Sequence, residues 1–131
     1  MDIQRFAKQD IALRQIETAL ELFFRQGDLF SVITLAGAAE EILGGLLQER
    51  SGNPGYRGAI TSIFAILRPS QKKQAREELS GHELDDFVHL DPHQEAVFLL
   101  RRAIEDYVTL AGAPSPSMLK FMSEVLASGQ G

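Results

Sequence analysis

The side chains best suited to chemistry include all three histidines of the chain, which lie close together in the sequence. If that stretch were helical, His82, Asp86 and His89 would share one face at positions i, i+4 and i+7. Two imidazoles and a carboxylate suit zinc or a related divalent ion. Gly81 and Pro92 favour an exposed loop instead, because both interrupt a continuous helix. The spacing leaves a divalent-metal site and a metal-free loop open.

A basic cluster lies immediately upstream of the histidines. Four of the 13 basic residues fall within nine positions, namely Arg68, Lys72, Lys73 and Arg76. Such a cluster could bind a phosphate backbone or an acidic partner, or it could be the solvated face of a surface helix. RNA is disfavoured because the formal net charge is -5, and a negative field repels a polyanion. Arg68, Lys72 and Lys73 therefore stay candidate binding residues for a partner that the sequence does not identify.

A third candidate is an acid in the most apolar part of the chain. Glu40 falls on a helical stripe whose other members are Ile33, Ala36, Leu43 and Leu47. A buried carboxylate is costly unless it is paired, and Arg101 or Arg102 on a later helix could be the partner. Glu40 is then either an acid that grips a ligand in a pocket or one half of a structural ion pair, and we favour the ion pair.

Helical periodicity predicts the elements that must position these residues. The N-terminal pattern predicts a first helix from about Asp2 to Gln26, ended by Gly27. A second helix from Leu29 to about Arg50 follows after a link so short that the two must form an antiparallel hairpin.

The second predicted helix has a thin waist made of Ala36, Gly37, Ala38, Ala39, Gly44 and Gly45. A glycine inside a helix costs up to about 1 kcal/mol relative to alanine. Close approach of another helix offsets that cost, either within the chain or across a dimer. Together with the large number of apolar residues on each helix, the waist predicts a homodimer.

The remaining pattern is also helical. It predicts a third helix from Tyr56 to Leu67, a surface segment from Ser70 to about Leu79 and a short helical turn within 80–90. A strong helix then begins at Asp91-Pro92 and ends at Gly112. Its predicted inner face consists of Val97, Leu100, Ile104, Tyr107, Val108 and Ala111.

A last helix is predicted over 115–127, with a frayed tail at 128–131, and no stretch shows the period-two alternation of a strand. We therefore predict an all-α fold, an antiparallel helical bundle of five or six helices in a single domain over residues 1–131. Residues 2–112 would form the bundle core, with the long N-terminal hairpin at its centre.

This layout resembles the HEPN-like helical bundle superfamily. The resemblance rests on the long first helix, the tight link, the alanine-rich run Leu35-Ala36-Gly37-Ala38-Ala39-Glu40-Glu41-Ile42-Leu43 and an Arg-to-His segment before one more strong helix. It covers roughly Asp10 to Gly112. It implies a compact, commonly dimeric helical domain. Such a domain is either a metal-independent endoribonuclease of toxin or defence systems or a binding module that has lost catalysis.

The catalytic members carry an Arg and a His separated by four to six residues, and five residues separate Arg76 from His82. The resemblance therefore implies Arg76 and His82 as the catalytic pair. An Arg can hold a scissile phosphate bidentately. A His can move the proton of a ribose 2′-hydroxyl.

The composition excludes some classes of function but does not identify one. The chain has 131 residues, of which 44% are hydrophobic and 24% charged, and it has no cysteine, as expected of one globular domain. Glu40 and Glu41 interrupt the most hydrophobic segment, so we expect neither a membrane span nor a secretory signal. No cofactor motif is recognisable. We expect a cytoplasmic, non-catalytic module that binds a protein partner or a small ligand between helices, with the ribonuclease and the metal site as alternatives.

Overall fold

The computed structural model describes residues 2–52 and 86–128 of the chain. These two ranges contain four α-helices and no strand, which confirms the all-α class for the described part. The helices are α1 (Lys8–Phe24), α2 (Leu29–Ser51), α3 (Pro92–Ala111) and α4 (Pro116–Phe121), and a π-helical turn (Met122–Leu126) follows α4. The predicted third helix (Tyr56 to Leu67) and the predicted surface segment from Ser70 to about Leu79 lie outside the described residues.

Helix α1 is shorter than the sequence pattern predicts. It begins at Lys8 rather than at Asp2, and the side chains of Ile3 and Phe6 are 84% and 52% exposed. Ile16 and Leu20, farther along the same stripe, are fully buried. A short helical stretch is marginal in water unless packing supports it. The apolar period therefore produces a helix only where the chain provides a surface against which that stripe can pack.

The end of α1 is built differently from the predicted glycine stop. Gln26, with φ 58°, takes the left-handed position, and Gly27 is the residue after it. The Gly27 N–H donates to the Leu22 carbonyl at 2.8 Å, and the Gln26 N–H donates to the Phe23 carbonyl at 3.1 Å. A Cβ on Gly27 would lie 3.1 Å from Leu22 Cδ2 and 3.2 Å from the Leu22 carbonyl oxygen. Gly27 is thus favoured by lack of space rather than by its backbone angles.

Helix α2 starts at once, because Asp28 caps it. The Asp28 carboxylate accepts the Ser31 backbone N–H at 3.1 Å and the Ser31 hydroxyl at 2.7 Å. The hydrogen bond from the Ser31 hydroxyl lowers the pKa of Asp28, so the cap stays ionised to a lower pH than an ordinary aspartate would.

Helix α2 packs against both α1 and α3 and is apolar on more than one side. By length and composition alone it could cross a membrane, since a window of 18 residues has a mean hydropathy of 1.5. The expectation that the chain has no membrane span stays a prediction, because length and composition alone do not show a span. The core helix of a soluble protein meets the same criterion, and 44% of that window is buried inside the structure.

Helix α3 confirms its predicted ends. The Asp91 carboxylate accepts the backbone N–H groups of His93 at 3.0 Å and Gln94 at 3.2 Å, and Gly112 closes the helix with φ 94°. The buried residues are Ala96, Val97, Leu99, Leu100, Ala103 and Ile104. The predicted inner face was thus right for Val97, Leu100 and Ile104, and wrong for the exposed Ala111.

The direction of α3 differs from the predicted antiparallel bundle. The His93 ring at its start lies 5.6 Å from the ring of Phe23 at the end of α1. Helix α3 therefore begins at the end of the hairpin where the α1–α2 link lies. It runs in the same direction as α2, and both of these helices are antiparallel to α1.

The core fills the space between α1, α2 and α3, and α4 packs against α1. Met118 and Phe121 of α4 are fully buried. The Phe121 ring meets that of Phe23 edge-on at 5.5 Å.

Candidate functional site

The candidate site begins with an acid inside the core. Glu40, near the middle of α2, is 2% exposed and is the one buried charged side chain within residues 2–52 and 86–128. Its Oε2 lies 3.6 Å from Nη2 of Arg102 on α3. Arg101 instead pairs with Glu105 on its own helix at 3.5 Å. The predicted ion pair is therefore present, and Arg102 is the partner.

A second carboxyl group joins this pair. Asp106 follows Arg102 by one helical turn on α3, and its carboxyl is half-buried near the negative charge of Glu40. Burial and, to a lesser extent, the nearby carboxyl of Glu40 raise the pKa of Asp106 to about 7, and the positive charge of Arg102 opposes the rise.

Sequence reasoning missed Asp106. The signal available was its i+4 spacing from Arg102, which places both residues on the same side of α3. Chemically, the Asp106 carboxyl can take up and release a proton close to neutral pH. Whether Glu40 also grips a ligand stays a prediction.

The structure describes two of the three residues of the predicted metal site. Asp86 and His89 are exposed and lie in a non-helical segment, so the predicted short helical turn is absent from residues 86–90. The shared helical face is absent there as well. His82 lies outside the described residues. Within the described ranges, no three His, Cys, Asp or Glu side chains come together in a way that could hold a metal ion.

The remaining predicted site residues lie outside the described part of the chain. They are Arg76 of the candidate catalytic pair and the basic residues Arg68, Lys72 and Lys73.

A second polar cluster, also missed from the sequence, joins α4 to α1. The hydroxyls of Ser115 and Ser117 donate to Glu17 Oε2 at 2.9 and 2.6 Å. Close by, the Lys120 ammonium lies 4.2 Å from the centre of the Phe24 ring. These contacts fix the short C-terminal helix on α1, and all of them are made between the chain's own residues.

The waist of α2 carries a third feature. Gly37 and Gly44 are buried, whereas a Cβ added to Gly45 would meet nothing within 4 Å among the described residues beyond its own helix. A shallow hollow lies on this side of α2, lined by Gly45, Gln48, Glu49 and Gly52. Close packing against the described residues therefore does not explain the glycine at position 45.

Comparison of the chain with family models, curated proteins and solved structures finds no match in any of the three.

Proposed function

We propose that this protein is a non-catalytic helical interaction module of HEPN-like type, and that it works as a homodimer joined at the waist of α2. Gly45 is the observation that carries the proposal. A glycine within a helix costs up to about 1 kcal/mol relative to alanine. Apart from the neighbouring backbone of α2 itself, no atom of the described residues lies within 4 Å of the position of the missing Cβ. A helix of a second copy could use this space, because glycine lets two backbones approach closely.

Two further observations support an interaction role. Large apolar side chains stay exposed on the described helices, among them Phe30 on α2, Phe98 on α3 and Leu119 on α4, which are 46%, 42% and 53% exposed. Exposed apolar surface beyond the scattered residues of an ordinary monomer is typical of proteins that bind partners. The described polar clusters join helices of the same chain to one another, which is a structural role.

The test is the mass of the protein in solution, measured by analytical ultracentrifugation at micromolar concentration. We expect a homodimer for the natural chain and a 14.5 kDa monomer for Gly45→Leu, because leucine fits the open space in one copy but not a close helix contact. Thr109→Leu is the control, since it places the same leucine side chain at an exposed position of α3. A natural chain that sediments as a monomer contradicts the dimer, and a Gly45→Leu variant that stays dimeric contradicts the waist as its contact.

The number of helices is part of the same proposal. The described residues provide four helices, so a HEPN-like bundle of five or six requires that residues 53–85 provide the others. Backbone chemical shifts of the full chain measure this directly, and a 53–85 segment without helical shifts would contradict the proposed bundle. A cytoplasmic location is likewise proposed, and fractionation of cells that produce the protein tests it.

The second candidate is a metal-independent endoribonuclease that uses Arg76 and His82. The five-residue separation of this pair favours it. The assay is cleavage of single-stranded RNA in the presence of a chelator, with His82→Ala as the test variant. His89→Ala is the matched control, because His89 is an exposed histidine of the same region. Cleavage that His82→Ala abolishes and His89→Ala preserves would replace the non-catalytic proposal.

The third candidate is a divalent-metal site at His82, Asp86 and His89. The spacing of the three side chains in the sequence is the observation that favours this site. Metal analysis of the purified protein tests it. Stoichiometric zinc that is lost in His89→Ala would support the site.

A further inference from the structure

Helix α4 is held on α1 by polar contacts at both of its ends. At its start, the hydroxyls of Ser115 and Ser117 donate to the same oxygen of Glu17, at 2.9 and 2.6 Å. At its end, the Lys120 ammonium lies 4.2 Å from the centre of the Phe24 ring. Because Glu17 precedes Phe24 by about two helical turns, α4 lies along the last part of α1 and runs in the same direction. These contacts fix both the direction and the register of α4.

The apolar contacts of α4 lie on one side of the helix. Met118 and Phe121, three positions apart, are fully buried, and the Phe121 ring meets that of Phe23 edge-on. Leu119, between them in the sequence, is 53% exposed. Apolar anchors three or four positions apart are the pattern by which an amphipathic helix binds in a groove of another protein. The face of α1 that α4 covers therefore offers the contacts of a helix-binding site.

Two features favour local release of α4 from this face. The helix has only six residues, and so short a helix is marginal without packing. It continues into the π-helical turn Met122–Leu126, none of whose residues is buried. The other three helices have 17, 23 and 20 residues. An element with few buried contacts opens at a lower free energy than the whole domain.

We propose that the face of α1 under α4 binds an amphipathic helix of a protein partner, and that α4 occupies this site and competes with the partner. The partner helix repeats the inner face of α4. It has a hydroxyl and an apolar residue in the positions of Ser117 and Met118, and a lysine and an aromatic residue in those of Lys120 and Phe121. A second copy is a poorer occupant, because its own α4 docks on its own α1. This inference rests on the proposed interaction role but not on the dimer contact at Gly45.

The first experiment measures binding of a fluorescent, alanine-rich helical peptide that carries Ser, Met, Lys and Phe at the spacing of α4. The peptide is titrated with the full natural chain and with full-length Phe121→Ala, in which the anchor of α4 is lost. It should bind Phe121→Ala at least about tenfold more tightly, because apparent affinity falls with the fraction of molecules whose site is open. Equal affinity for the two chains would overturn the proposal, and so would no binding to a folded Phe121→Ala chain.

A milder variant and a matched peptide pair complete this experiment. Ser117→Ala removes one hydrogen bond between α4 and Glu17, so its affinity for the peptide should lie between those of the other two chains. Alanine in place of the peptide's phenylalanine should abolish binding, whereas glutamine at the position of the exposed Leu119 should leave it unchanged. Equal effects of the two peptide changes would contradict the stated pattern.

Competition separates a protein partner from a second copy of the chain. The natural chain should displace the peptide from Phe121→Ala only weakly, because its α4 is docked. Displacement as strong as that by unlabelled peptide would assign the site to the α4 of a second copy and overturn the proposed partner. A natural chain that sediments as a monomer contradicts the dimer at the waist of α2 and changes none of these outcomes.

Hydrogen exchange of the natural chain tests the release of α4 without any variant. The α4 amides should open at a lower free energy than the amides of α1, α2 and α3, and low urea concentrations should leave their exchange unchanged, as expected of local opening. Exchange of the α4 amides only through global unfolding would show that α4 is a fixed part of the core. That result would overturn the role of α4 as a competitor.

Discussion

The docking of α4 on α1 yields a sharp prediction, because two apolar residues of this six-residue helix have opposite environments. Phe121 is fully buried and meets Phe23 edge-on at 5.5 Å, whereas Leu119 is 53% exposed. Phe121→Ala should destabilise the protein strongly. Leu119→Ala should leave its stability within about 0.5 kcal/mol of the natural value.

The size of the Phe121→Ala effect follows from how α4 is held. Truncating a buried phenylalanine costs about 3–5 kcal/mol when the surroundings stay in place. Helix α4 spans only six residues, and so short a helix is marginal without packing. The variant can therefore release α4 rather than keep a cavity, which limits the loss to the free energy that docking contributes. We expect about 3 kcal/mol, at the lower end of the range.

The assay is urea unfolding together with hydrogen exchange. Phe121→Ala should lower the free energy of unfolding by about 3 kcal/mol and remove most of the hydrogen-exchange protection of the α4 amides. The ranking of the α2 amides by their protection should stay unchanged. Leu119→Ala should retain α4 protection. Equal losses for the two variants would refute the argument, because they would mean that the outer face of α4 is as buried as its inner face.

Three further predictions concern stability measured by urea unfolding. Asp91→Ala should cost about 1 kcal/mol, because it removes the side-chain cap of α3; an unchanged midpoint would contradict the cap. Gly27→Ala should destabilise by about 1 kcal/mol, because the new Cβ is crowded by Leu22. An unchanged or higher stability of this variant would count against this account. Arg102→Met should lower the free energy of unfolding by about 2 kcal/mol at neutral pH, since the carboxylate of Glu40 loses a cationic partner. A loss of stability below about 0.5 kcal/mol would show that the ion pair contributes nothing.

Local interactions explain what could be predicted from the sequence. The ends of α3 at Asp91 and Gly112 were predicted, because capping involves residues only two to four positions apart. The burial of Glu40 was predicted from its place on an apolar stripe, and its pairing with Arg101 or Arg102 from the cost of an isolated buried charge.

Other features depend on which surfaces meet, and a periodic pattern does not contain that information. The apolar stripe of α1 continues to Ile3 in the sequence, yet the helix starts at Lys8 because the earlier side chains stay exposed. The parallel course of α2 and α3 is set by packing, because helical periodicity identifies a face but not the direction of its neighbour.

The site shows the same division between sequence and tertiary structure. Arg102 and Asp106 are neighbours on α3 by local spacing alone, but the raised pKa of Asp106 arises because α2 brings Glu40 against it and burial removes water. The contact between Glu17 and the hydroxyls of Ser115 and Ser117 joins residues 98 and 100 positions apart. Sequence alone determined which residues could form helices, caps and a buried ion pair. Only the tertiary structure determined which acid has a raised pKa, because that depends on burial and on the charges that neighbouring helices bring close.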